Sequence, residues 1–184
     1  MKNYSRIIGL IIALLVISCI AYGQKCKYDF QNKDEFTGKT SVGFRTIVTT
    51  AFVLTLSTDG DNHQLTLHLA VPGVTEDFVS PGDTMMIALE NSEPLIFVAE
   101  QMVSPTALAA SQTSVYTTLL IPYSITDWQL QKLSTCTPTA VRAFVNKNTK
   151  PLNFTISTKK GETLSKNAIC IANYQKSNFP VKKK

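Results

Sequence analysis

Between Phe52 and Ala70 the chain alternates with a period of two on both sides of a turn. Phe52, Leu54 and Leu56 alternate with Val53, Thr55 and Ser57, and Leu65, Leu67 and Leu69 alternate with Thr66, His68 and Ala70. Asp59-Gly60-Asp61-Asn62 between the two runs is turn chemistry. A period of two puts these leucines on one side of a pleated strand, whereas a helix would scatter them around its axis. The segment therefore predicts an antiparallel β-hairpin, ended by Pro72-Gly73, with Leu54, Leu56, Leu65, Leu67 and Leu69 facing a core.

The flanking sequence extends this pattern. Cys26 to Lys39 reads as an opening strand or loop, and Val42 to Thr49 as a strand rich in β-formers. After the turn Pro81-Gly82-Asp83, Thr84 to Leu89 and Pro94 to Ala99 form a second hairpin around Asn91-Ser92-Glu93. Its nearly continuous apolar run predicts burial on both faces. Pro105 to Gln112 reads as a small-residue loop or short helical piece, and Val115 to Ile121 as a strand. Helix signals begin only at Thr126, which has capping-box spacing to Gln129, with Ile125 and Leu130 placed as a staple. A helix follows from Asp127 to Leu133, then strands over Thr139 to Val145 and Leu152 to Ile156. A second helix runs from Lys159 to Tyr174, with Leu164, Ala168, Ile171 and Ala172 at helical spacing and Gly161 weakening its first turn. Strands first and helices late predict an α+β fold: a mostly antiparallel β-sheet, sandwich-like or strongly curved, with two helices in the C-terminal half. Residues 24–176 form one domain, and 177–184 a basic tail.

The first 23 residues have a different character. Lys2 and Arg6 form a basic head, Ile7 to Ile20 an apolar run, and Ala21-Tyr22-Gly23 a small-residue exit. This is the anatomy of a secretory signal peptide, and the run is short for a membrane span. The expectation is a periplasmic or extracellular protein whose mature chain starts at Gln24. The alternative is a lipoprotein: Val16-Ile17-Ser18-Cys19 has the form of a lipobox, and lipidation of Cys19 would tether the domain to the outer envelope. A membrane is expected as a partner only in that case.

Charge is segregated. No Lys or Arg lies between Thr46 and Gln131, a stretch holding Asp59, Asp61, Glu76, Asp77, Asp83, Glu90, Glu93, Glu100 and Asp127. From Trp128 onward Glu162 is the sole acid among many lysines. Either the two stretches neutralise each other across the fold, or the basic part meets an anionic envelope or extracellular ligand, such as lipid head groups or acidic glycans. Nucleic acid is not expected, because no basic motif interleaved with aromatics occurs.

The residues that carry chemistry are sparse. His63 reads as a solvated turn residue and His68 as a surface strand residue; five apart on a strand, they face opposite sides and cannot share a metal. Asp59, Asp61 and His63 mimic alternating calcium ligands, but Gln64 and Ala70 stand where a calcium loop needs glycine and a closing acid. Glu76-Asp77 and Glu90 with Glu93 are carboxylate pairs beside turns, yet Trp128 is the only tryptophan available to stack a sugar. Asn153-Phe154-Thr155 matches the N-glycosylation pattern inside a predicted strand. No catalytic residue, cofactor or metal site is expected. The mature cysteines, Cys26, Cys136 and Cys170, allow three pairings, and their spacing does not choose among them.

Several segments together resemble a group of small exported proteins of Bacteroidetes-type bacteria that have no assigned function. Gln24 to Tyr28 with Asp34-Glu35-Phe36-Thr37-Gly38 is similar to their mature start. Pro81-Gly82-Asp83-Thr84 leading to Leu89-Glu90-Asn91 is similar to their central hairpin. Tyr123 to Leu133, followed by Val141-Arg142-Ala143-Phe144, is similar to their closing unit, and Cys170 to a cysteine near the end of their last helix. The resemblance implies one α+β domain and a Cys26–Cys170 disulfide, with Cys136 left free. It carries no catalytic residue. The expected function is thus a non-enzymatic exported domain that binds an envelope or extracellular partner. The alternative is an exported hydrolase with a dispersed, thiol-based site using Cys136 or Cys170, or one placing a histidine beside a carboxylate.

Overall fold

The structure, a computed structural model, describes residues 26–109, 115–147 and 149–178. The predicted signal peptide, Cys19 and the last six residues of the predicted tail lie outside the described residues. Within them the fold is α+β, mostly antiparallel sheet, with its helices in the C-terminal half.

The predicted hairpin is the centre of a six-stranded sheet. Strands β1 (Phe30–Lys33), β2 (Thr40–Thr49), β3 (Phe52–Thr58) and β4 (His63–Pro72) follow one another as an antiparallel meander. In β3 and β4, Leu54 faces Leu67 and Leu56 faces Leu65, and all four are fully buried. Gly60, at φ 95°, supplies the left-handed residue of the intervening turn, where the Asp59 carboxylate accepts the amides of Asp61 and Asn62.

A second sheet of four strands contains the other hairpin, β5 (Thr84–Leu89) and β6 (Ser92–Val98). The six-stranded sheet is completed by β7 (Thr106–Ala109) and β8 (Val115–Ile125), with β8 laid along the whole of β4. Residues 106–109 are thus an edge strand, not the loop or helical turn expected there; pairing with β8 overrides the weak β-preference of Ala107 and Ala109. The other strands of the second sheet are β9 (Pro138–Val145) and β10 (Lys150–Thr155), giving the order β10-β9-β5-β6. Burial of β6 on both faces is also corrected. Leu95 and Phe97 are buried, but Pro94, Ile96 and Val98 are exposed, so an alternating strand is here apolar on both sides.

The inner faces of the two sheets meet. Phe52 of β3 stacks on Phe154 of β10 at 4.1 Å, and Phe97 of β6 meets Tyr123 of β8 edge-to-face at 6.4 Å. The Tyr123 hydroxyl is buried with no hydrogen-bond partner among the described residues, and burial, then the nearby Asp83 carboxylate, push its pKa up. The two edges of the four-stranded sheet each carry a proline, Pro94 in β6 and Pro151 in β10, which blunts edge-to-edge pairing.

Helix α1 (Asp127–Thr135) starts with the predicted capping box: Gln129 N donates to Thr126 Oγ1, and Thr126 N donates to Gln129 Oε1. Its Leu130 and Leu133 are buried. Helix α2 (Thr158–Asn178) carries the predicted stripe inward through Leu164, Ala168 and Ile171, and packs on α1, β2, β3 and β9. It lies antiparallel to β2, with Lys160 Nζ donating to the Val48 carbonyl, Asn167 to Thr46 Oγ1 and Tyr174 Oη to the Thr40 carbonyl. Gly161 lets α2 touch β9: a Cβ there would stand 2.3 Å from the Pro138 carbonyl oxygen. The glycine that weakens the helix locally is what allows it to dock. The helix continues to Asn178, two residues into the predicted tail.

Candidate functional site

Cys26 and Cys170 form a disulfide with Cα atoms 5.6 Å apart, joining the segment before β1 to α2 across 144 residues. Tyr28 reinforces the junction: its ring packs on Phe44 and Tyr174, and its hydroxyl donates to the Cys170 carbonyl. Cys136 is a free, half-buried thiol. With Cys170 bonded, the thiol half of the hydrolase alternative rests on Cys136, at the end of α1.

His63 is not a solvated turn residue. It opens β4 opposite Thr58 and Ile125, on the core side with Leu65, and is 6% exposed. Its Nδ1 is 3.1 Å from Thr58 Oγ1 and its Nε2 is 3.3 Å from Asp127 Oδ1, at the first turn of α1. A hydroxyl, an imidazole and a carboxylate in series have the outline of a nucleophile-base-acid set. The proton inventory gives it another role. The Asn62 carbonyl can only accept, so the single Thr58 hydroxyl proton goes to it at 2.9 Å. Thr58 Oγ1 also accepts Gly60 N at 2.9 Å, so the hydroxyl is engaged by the backbone of its own turn on both its donor and its acceptor side. A hydroxyl that donates to a backbone carbonyl does not give that proton to the ring beside it. The set ties the β3–β4 turn to the start of α1.

His68 lies on the opposite face of β4, as expected, but it is half-buried and its Nε2 is bonded to Thr55 Oγ1 at 3.1 Å. Burial, then the Arg45 charge, hold its pKa below the usual imidazole value. Of the carboxylates, Glu76, Glu90 and Glu93 are exposed. Asp77 accepts from Asn146 Nδ2 at 2.7 Å and from the Lys150 ammonium, and Lys150, first among the causes, holds its carboxyl below the usual range. The Asp77–Lys150 pair joins the acidic middle of the chain to its basic end. Among the described residues no group of three His, Cys, Asp or Glu side chains is placed to hold a metal.

The outward face of the four-stranded sheet combines apolar area with charge. Cross-strand pairing sets Arg142 between Met86 and Asn153, and Ala140 between Ala88 and Thr155. The two alanines, beside Pro94, leave an open apolar depression of about 320 Å³ bordered by Met86 and Arg142. The Arg142 Nε–H donates to Asn153 Oδ1 at 2.6 Å, which fixes the guanidinium plane and leaves its terminal nitrogens to a ligand. Ile96 and Val98, each 51% exposed, continue the apolar surface beside it. The residues of Asn153-Phe154-Thr155 are divided by the pleat: Asn153 and Thr155 border the depression, while Phe154 stacks on Phe52.

Alternation alone places Arg142 opposite the buried Val141 and Ala143, and so outward. That Met86, Ala88 and Pro94 would surround it depends on β9 pairing with β5 across more than fifty residues of chain, which no local pattern reports. No family model, curated protein or solved structure matches the chain. Among the described residues no helix is long and apolar enough to cross a membrane.

Proposed function

We propose that this chain is an exported, non-enzymatic binding domain whose ligand is an anionic amphiphile of the cell envelope, held on the outward face of the four-stranded sheet. One observation carries the reading: an oriented guanidinium, Arg142, stands at the border of a mostly apolar depression. Charge-assisted hydrogen bonds from Arg to a phosphate or carboxylate are strong and directional, and Met86, Ala88, Ile96 and Pro94 offer an aliphatic chain a place to leave water. The Cys26–Cys170 disulfide, together with the basic-apolar-small pattern of residues 1–23, supports an oxidising, extracytoplasmic compartment. A non-catalytic role is supported by Thr58, whose hydroxyl donates to the Asn62 carbonyl and not to the neighbouring His63 ring.

The test is an NMR titration with lysophosphatidylglycerol below its critical micelle concentration, against lysophosphatidylcholine as the zwitterionic control. The anionic lipid is expected to shift amides of β5, β6 and β9, and Arg142→Gln to weaken it about tenfold or more, the loss of a charged hydrogen bond. An equal response to both lipids, or shifts confined to other elements, would refute the proposal.

A further inference from the structure

On the other sheet, the outward face of β3 and β4 has a different chemistry, bordered by Arg45 and Ile47 of β2 and by Leu120 of β8. On β3 and β4 it presents Val53, Thr55 and Ser57 beside Gln64, Thr66 and His68, without a Lys, Arg, Asp or Glu. Solvated faces of sheets ordinarily carry charge for solubility. Here the side chains floor an open depression of about 470 Å³ between β1 and the Asp59–Asn62 turn, within the size range of small-molecule sites.

One end of the depression is apolar. Phe30 of β1 lies across Gly43, where even a Cβ would come within 2.3 Å of its ring. Glycine at 43 is therefore what seats the aromatic there. The remaining lining is a set of neutral hydrogen-bonding groups, several of them uncommitted. Among the described residues the Ser57 hydroxyl and the Gln64 amide nitrogen have no partner, and the Gln64 oxygen accepts only a long 3.4 Å bond from Thr66. His68, held by Thr55, keeps Nδ1 open, and burial, then the Arg45 charge, lowers its pKa and so favours the uncharged ring. Asp59, the charged residue of the lining, is occupied within its own turn by Asp61 N, Asn62 N and Asn62 Nδ2.

We infer that this depression is a second binding site, separate from the Arg142 face, and that its ligand is a neutral saccharide. A sugar ring has an apolar C–H face that suits the Phe30 ring, and hydroxyls that both donate and accept. Ser57, Gln64, Thr66 and His68 match those hydroxyls in kind. An anionic glycan would meet the Asp59 carboxylate at the turn end of the depression.

A glycan array carrying neutral and acidic glycans tests this, with affinities of the bound glycans measured by calorimetry. Neutral glycans are expected to bind, and Gln64→Ala, at an exposed position, to weaken them about tenfold with the melting temperature unchanged. Ser57→Asp is expected to abolish binding by placing a charge on the floor. The inference fails if no neutral glycan binds, if acidic glycans are preferred, or if binding survives Gln64→Ala at full strength.

Discussion

The two sheets obey one alternation rule, and their central strands reach different surfaces. Inward, both are packed with Leu, Ile, Val and Phe. Outward, β3 and β4 of the six-stranded sheet show hydroxyl, amide and imidazole groups, whereas β5, β6 and β9 of the four-stranded sheet show Met86, Ile96, Val98 and Arg142. Among the described elements, the helices leave both outward faces open, since α2 packs on β2, β3 and β9 from within. The difference teaches that alternation reports which residues share a side, and not what the solvent side is for. In β4 the period is visible because polar residues mark the outer face; in β6 apolar residues stand on both faces and hide it.

The sharpest way to break this comparison is to test the side assignment itself. Leu67→Ala on the core face of β4 should cost about 2–5 kcal/mol in chemical denaturation, against no more than about 0.5 for its outward neighbour Thr66→Ala. Equal costs would mean the register is slipped by one and the two faces are exchanged. Next in size is the cross-link, which joins the segment before β1 to α2. Replacing Cys26 and Cys170 by serine should remove about 2–4 kcal/mol while the fold persists. Amide exchange should accelerate in β1 and α2 and not in β5 and β6; uniform acceleration would show that the sheets are one cooperative unit.

Gly161→Ala probes the joint between helix and second sheet. In an exposed helix that change would stabilise by up to about 1 kcal/mol, but here the added methyl meets the Pro138 carbonyl, so a loss of about 1–3 kcal/mol is expected. A gain in melting temperature would show that the contact relaxes freely. Tyr123→Phe tests the core between the sheets. It removes a buried hydroxyl that has no partner among the described residues and should be neutral or stabilise by about 1 kcal/mol, where deletion of a satisfied hydroxyl would destabilise.

The smallest effect is on the neutral face. His68 has a folded pKa below its unfolded value, so between the two values the unfolded chain binds more protons and stability rises with pH. Its contribution is full above the unfolded value and lost as pH falls through that window. His68→Gln should flatten this part of the stability–pH curve; an unchanged slope would place the titration elsewhere.

Much of this molecule was legible locally. The β3–β4 hairpin, the capping box at Thr126 and the inward stripe of α2 each depend on residues a few positions apart, and local sterics and hydrogen bonding decide them. The Arg142 site was half legible: its outward direction follows from the pleat, but its apolar surroundings come from β5 and β6. His63 was misread because its partners, Thr58 and Asp127, arrive from a turn and from a helix sixty-four residues later. β7 was misread because an edge partner outweighed weak local preference. The Cys26–Cys170 pairing was open on spacing, three ways, until the fold brought those two Cα atoms within bonding reach. The sequence by itself determined the β3–β4 hairpin, the helix start and the core leucines, because neighbours along the chain set the backbone period. Tertiary structure alone decided what stands beside Arg142, Phe30 and His63, because side-chain surroundings are made by segments that meet only when the sheets have closed.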